Sequence, residues 1–125
     1  MTPTAPDALP RLLALRPHGD ARGALVSVED GELPFTIRRA FWIRDVPSGA
    51  VRGGHTHLLC HELVIAVAGT LTVHAGDAVF QLDRPDVACH IPPGHRVSLH
   101  DFSPDAVCLV LASESYDPAD HIQGG

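Results

Sequence analysis

At 125 residues the chain is the size of one domain, large enough to bury a core and small enough to gain from dimerisation. A formal charge of −6 excludes a general nucleic-acid or acidic-membrane surface, since phosphate binding of that kind needs a broad basic field. All nine basic residues are Arg, which excludes lysine Schiff-base chemistry and leaves guanidinium forks, suited to carboxylates and phosphates, as the permanent side-chain cations.

Residues 1–10, with Pro3, Pro6 and Pro10, read as a flexible leader, and residues 11–125 as a single domain. Leu12 to Leu15, a turn around His18-Gly19-Asp20, and Ala24 to Val28 predict a first pair of strands, and Phe35 to Ile43 predicts another. Pro47-Ser48-Gly49 is a turn before a strand carrying His55-Thr56-His57. Leu63 to Val67, Leu71 to His74 and Val79 to Leu82 follow as strands joined by tight turns, in which Gly69 and Gly76 permit positive φ. Val87 to Ile91, a Pro92-Pro93-Gly94 turn and Ala106 to Ala112 complete the set, leaving 113–125 as a short helical turn or an extended arm. Eleven Gly and eleven Pro punctuating short apolar runs imply an all-β domain, with a jelly-roll barrel as the natural closure. Cys60, Cys89 and Cys108 lack CxxC spacing and sit among apolar residues, which predicts buried free thiols. No charged leader precedes an apolar run and no run has membrane-spanning length, so the expected compartment is the cytoplasm.

Side chains at i and i+2 of a strand share a face, so His55 and His57 point the same way, with Glu62 five residues on. Such a set binds a cation or moves a proton. The pattern Gly53/Gly54, His55-x-His57, Glu62 and Gly69 resembles the first motif of the cupin superfamily, and Pro92-x-Gly94 resembles the start of the second. The third histidine of that second motif is replaced by Val97, and His95 lies two residues away from its position.

A closer resemblance spans almost the whole chain. Asp20-Ala21-Arg22-Gly23, Pro34-Phe35-x-Ile37-x-Arg39, Arg52-Gly53-Gly54-His55-x-His57, Cys60-His61, Ile91-Pro92-Pro93-Gly94, Asp101-Phe102-Ser103 and Val110-Leu111-Ala112-Ser113-x-x-Tyr116-Asp117 are similar to the dTDP-4-keto-6-deoxyglucose 3,4-ketoisomerases, the WxcM-like sugar ketoisomerases of the cupin superfamily. The resemblance implies a cupin-type double-stranded β-helix, a homodimer with exchanged strands, and a site inside each barrel that moves a ketone from C4 to C3 of a dTDP-linked keto-deoxysugar without metal or other cofactor. It implies His57 as the base at C3 and His55 as the group moving protons between oxygens or to C4, or the reverse. Arg52 is expected to stabilise an enolate or bind a diphosphate oxygen. Glu62, Trp42, His95, Arg22 and Tyr116 complete the expected substrate contacts, Trp42 and Tyr116 by stacking. Arg39 reads as a sheet brace, and His61, His74, His90, His100 and His121 as surface residues or simple hydrogen-bond partners.

The chain departs from the family pattern in four places: Glu62 where Gln is usual, Leu58 where Lys is frequent, Phe41-Trp42 in place of tyrosines, and Arg96-Val97 in place of Trp followed by His or Arg. Two other readings therefore stand beside the isomerase. One is a metal-dependent cupin with Fe, Mn, Ni or Zn held by His55, His57 and Glu62, helped by His95. The other is a non-catalytic sugar-nucleotide binding module, motivated by Val97.

Overall fold

The computed structural model describes residues 8–123. Most of the predicted leader lies outside the described residues. Within its described part, the carbonyl of Ala8 accepts a 2.7 Å hydrogen bond from the His95 ring.

Twelve strands run β1 Arg11–Ala14, β2 Pro17–Asp20, β3 Gly23–Val26, β4 Arg39–Arg44, β5 Arg52–His57, β6 Glu62–Ala68, β7 Leu71–Ala75, β8 Ala78–Leu82, β9 Val87–Ile91, β10 Arg96–His100, β11 Val107–Ala112 and β12 His121–Gln123. They form two five-stranded antiparallel sheets, ordered β1-β9-β6-β11-β4 and β12-β5-β10-β7-β8, with β2-β3 as a separate hairpin. This is the expected jelly roll. Strand β10 is an addition to the expected set, formed because Val97 and Leu99 alternate into the core while Arg96, Ser98 and His100 take the other face. The tail resolves into a 3-10 turn, Pro118–Asp120, feeding β12. Among the described residues no helix is long and apolar enough to cross a membrane.

The core fills the space between the sheets. Val64, Cys89 and Val110 of the first sheet meet Leu71, Val73 and Leu82 of the second, and burying side chains of this size supplies on the order of 1.5–3 kcal/mol each. Cys60, Cys89 and Cys108 are free and buried as expected, and burial pushes the Cys89 and Cys108 thiols up to about 12, so neither is a thiolate nucleophile. A second apolar layer lies on the outer face of the first sheet, where Val28, Leu33 and Phe35 cover Leu63, Ile65 and Ala88. His61 and His90 belong to this layer. Expected to be surface residues or simple hydrogen-bond partners, they share a 3.0 Å ring-to-ring hydrogen bond under Phe35, and burial followed by the charge of His61 pulls His90 down to about 4.

Two glycine positions shape the frame. Gly69 turns β6 into β7 at φ 64°, and a Cβ there would collide with the Ser103 hydroxyl and come within 2.7 Å of Ala106 Cα. Gly53, at φ 83°, sits at a bulge in the β5–β10 ladder, where Val97 pairs with His55 but Ser98 pairs with Gly53. The skipped residue, Gly54, kinks β5 directly beside the histidine pair.

Candidate active site

Cross-strand register brings the site together at one end of the barrel. His55 lies opposite Val97, and His57 opposite His121, so both histidines face the interior with the core side of β10 and with β12. Glu62 opens β6 on the same interior face, flanked by Ile91 and Ala112. The expected trio of His55, His57 and Glu62 is therefore assembled in space.

His57 is 5% exposed and held between two carboxylates: Nε2 lies 3.3 Å from Glu62 Oε2 and Nδ1 lies 3.2 Å from Asp120 Oδ2. Burial pulls its pKa down, but the hydrogen bonds and charges of Glu62 and Asp120 outweigh that and leave it raised. Asp120 is itself fixed, because its carboxylate also accepts the amide protons of Leu59 at 2.6 Å and Cys60 at 3.2 Å. In the neutral ring the pairing with Asp120 favours the proton on Nδ1 and makes Nε2, which the ring shares with Glu62, the working nitrogen.

His55 is in the opposite condition. Burial, then the neighbouring His121 and His57, lower its pKa, and its ring makes no hydrogen bond among the described residues. The two rings stand edge to face with centroids 5.1 Å apart. A carboxylate-backed imidazole with a raised pKa beside an unbonded one with a lowered pKa gives the pair two different proton affinities.

Asp120 and His121 were not among the expected site residues. They lie 63 and 64 positions after His57, at the end of the 3-10 turn and the start of a three-residue strand that no apolar periodicity announces. His121 stacks on His55 at 4.4 Å and 11°, meets His57 edge-on at 4.7 Å, and touches the ring of Tyr116 at 5.8 Å. Tyr116, 66% exposed, thus stands at the rim. Arg39, expected to brace the sheet rather than reach the nucleotide, comes to this same rim. Its guanidinium carbon lies 5.1 Å from the Phe41 ring and 5.6 Å from the Tyr116 ring, and its buried Nε has no hydrogen-bond partner among the described residues.

Four expected contacts are placed elsewhere. Phe41 and Ile43 take the interior side of β4, so Trp42 points outward, 63% exposed. Arg52 starts β5 at the end away from His57 and lines an open cleft with Trp42, Arg44 and Asp45. The His95 ring packs over Gly76 and bonds the Ala8 carbonyl, which spends it on bracing the turns. Arg22 tips the β2–β3 hairpin with its side chain 90% exposed and paired to Asp20 at 2.7 Å. The guanidinium whose field reaches His55 is instead that of Arg96.

As a metal centre the set is incomplete in the cupin sense, since apolar Val97 faces His55 where a further ligand belongs and His95 is turned away. The nitrogens of His55, His57 and His121 do lie within 4.8 Å of one another, but His57 has both of its nitrogens engaged by carboxylates. The arrangement suits proton transfer better than ligation.

Residues 9–124 match the family profile described as FdtA: WxcM-like, C-terminal. The chain is 36% identical over 109 residues to the TDP-4-oxo-6-deoxy-alpha-D-glucose-3,4-oxoisomerase of Aneurinibacillus thermoaerophilus, covering 83% of this chain and 78% of that one. Among solved structures it is similar to QdtA, a sugar 3,4-ketoisomerase from Thermoanaerobacterium thermosaccharolyticum in complex with TDP, with a TM-score of 0.88 at 31% identity over 91% of this chain and 87% of that one. It is also similar to the WlaRB TDP-quinovose 3,4-ketoisomerase from Campylobacter jejuni, with a TM-score of 0.87 at 33% identity, covering 91% and 92% of the two chains.

Proposed function

The chain belongs to the WxcM-like FdtA family of cupin-fold sugar 3,4-ketoisomerases, and from that premise we propose that it moves the ketone of a dTDP-linked 4-keto-6-deoxyhexose from C4 to C3 by histidine acid/base catalysis. The observation that carries the reading is His57 held between Glu62 and Asp120 with His55 at its edge. The ligand class is supported by similar ketoisomerases solved with TDP and with TDP-4-keto-6-deoxyglucose.

The reaction begins when His57 Nε2 takes the proton from C3, whose acidity the neighbouring C4 carbonyl supplies, and the electron pair moves to O4. Protonation of O4 gives an enediol. Loss of the O3 proton and return of a proton to C4 then leave the ketone at C3 and a hydroxyl at C4, so hydrogen moves from C3 to C4 and from O3 to O4 with no net redox change. His55, neutral and unbonded, serves the oxygens. Arg39, whose guanidinium lies against the Tyr116 ring, and Arg96, whose field reaches His55, are the cations nearest the developing enolate. Glu62 holds the His57 cation formed in the first step.

Incubation with dTDP-4-keto-6-deoxyglucose in deuterated water is expected to give a 3-keto product and deuterium at C3 of recovered substrate, read by NMR. Neither exchange nor isomerisation would overturn the reading; tight dTDP binding without turnover would point to the binding module instead.

A homodimer with exchanged strands forms part of the proposal. The hairpin β2–β3 joins neither large sheet and leaves Leu25 61% exposed, a form suited to packing on a second copy. Light scattering is expected to give twice the chain mass, and a monomer at micromolar concentration would remove this part of the proposal.

A further inference from the structure

The C-terminal turn and strand deliver two consecutive side chains to the site, and each addresses a different histidine. Asp120 reaches His57, while His121 lies flat on His55, with centroids 4.4 Å apart and planes within 11°. We infer that His121 is a positioning residue for His55: packed face to face against it, His121 holds the second imidazole in the orientation from which it relays protons between the sugar oxygens. The inference rests on the ketoisomerase reading and extends it to a residue outside the histidine motif.

Three observations converge on this role. First, His55 has no hydrogen-bond partner among the described residues, so packing alone sets its ring torsions. A neutral imidazole without a bonded nitrogen keeps both nitrogens for substrate, but it needs some other means of holding its plane. Second, His121 is itself held. Antiparallel register pairs it with His57, the Leu58 amide donates to the Asp120 carbonyl at 2.8 Å, and the Asp117 side chain caps the 3-10 turn through the Ala119 amide. Third, His121 closes a ring of contacts, meeting His57 and Tyr116 by its edges while its face covers His55, so rotation of His55 would have to displace it. The charges that face His55 are His57 on its own strand, His121 on β12, Glu62 on β6 and Arg96 on β10. Only Glu62 favours the protonated ring. Removing His121 therefore alters both the orientation of His55 and its titration.

The test uses His121→Ala and His121→Phe in the full chain, with dTDP-4-keto-6-deoxyglucose as substrate. Alanine removes the stacked ring and is expected to lower kcat by about 10–100-fold with KM changed less than about threefold, the cost of a misplaced catalytic group. Phenylalanine restores a flat ring and is expected to return kcat to within about threefold of the wild type, because orientation rather than a nitrogen is what His121 supplies. Histidine-ring NMR of the substrate-free protein gives a readout independent of turnover: in both variants the His55 titration midpoint is expected to rise as the neighbouring positive charge disappears. Wild-type kcat in His121→Ala would overturn the inference. A phenylalanine variant as slow as the alanine one would also overturn it, giving His121 a nitrogen-dependent role. An unmoved His55 titration would show that the two rings are not in contact. A wild-type protein that fails to isomerise the sugar while the NMR shift appears would instead count against the ketoisomerase reading and leave the contact standing.

Discussion

Replacing His57 by asparagine is expected to lower kcat by about 10²–10⁴-fold, the range that a positioned general base contributes, and to abolish deuterium uptake at C3. Asparagine is close in size and can still hydrogen-bond to Asp120 or Glu62, but it cannot accept a proton near neutral pH. Loss of the barrel would mimic loss of the base, since His57 separates two carboxylates that are each 8% exposed. Without the imidazole ring between them, Glu62 and Asp120 lose a shared hydrogen-bonding and proton-holding partner, and some stability is expected to be lost with the activity. Circular dichroism at the assay temperature separates the two effects. A folded variant that still exchanges the C3 hydrogen at the wild-type rate would remove His57 as the base.

The fold was legible because turn chemistry and strand period agree along most of the chain. Gly69 and Gly76 mark turns that only a positive φ can make, and β6 is buried throughout its first five residues, as the run Glu62-Leu63-Val64-Ile65-Ala66 suggests. His55, His57 and Glu62 were legible because i, i+2 parity places the first two on one wall and the motif places the third beside them. The same parity bears on Trp42: in Arg39-Ala40-Phe41-Trp42-Ile43-Arg44 only alternate residues can face inward, and Phe41 and Ile43 take that side, which sends Trp42 out and brings Arg39 in.

What escaped the sequence is of a different kind. Asp120 and His121 act across more than sixty residues, from a 3-10 turn and the three-residue strand after it, whose register is set by its partner β5 rather than by its own composition. His61 and His90 look isolated along the chain but become neighbours once Leu63 pairs with His90 across β6 and β9. Arg52 adjoins the histidine motif in sequence, yet a strand rises about 3.3 Å per residue, so five positions carry it toward the far end of the barrel. Proximity along a strand is distance in space, whereas proximity across a ladder is contact.

Replacing Asp120 by asparagine is expected to move the acid limb of the kcat/KM profile to lower pH while lowering the plateau. The carboxylate does three things: it accepts two backbone amides, holds the Nδ1 proton of His57, and supplies negative charge that favours imidazolium. Asparagine keeps one oxygen for an amide but gives up the charge, and an NH2 turned to Nδ1 would force the proton onto Nε2, leaving the working nitrogen unable to accept. Selecting the wrong tautomer costs on the order of 10⁴-fold where a histidine base depends on its carboxylate, so a loss of about 10²–10⁴-fold is expected here. The direction of the limb follows from the raised His57 pKa: with one of the two carboxylates gone the pKa falls, and the imidazole remains neutral at lower pH than in the wild type.

The same linkage reaches stability. A histidine whose folded pKa lies above its unfolded value contributes stability that is fully present below about pH 6.5 and disappears as pH rises through the folded pKa. Asparagine removes part of that contribution. The drop in Tm from wild type to variant is therefore expected to be larger near pH 6 than near pH 9, on top of a pH-independent loss from the disturbed Leu59 and Cys60 amide contacts. An acid limb and a Tm difference that both ignore pH would show that Asp120 holds the C-terminal turn in place without tuning His57, and the carboxylate–imidazole pairing would lose its part in the mechanism.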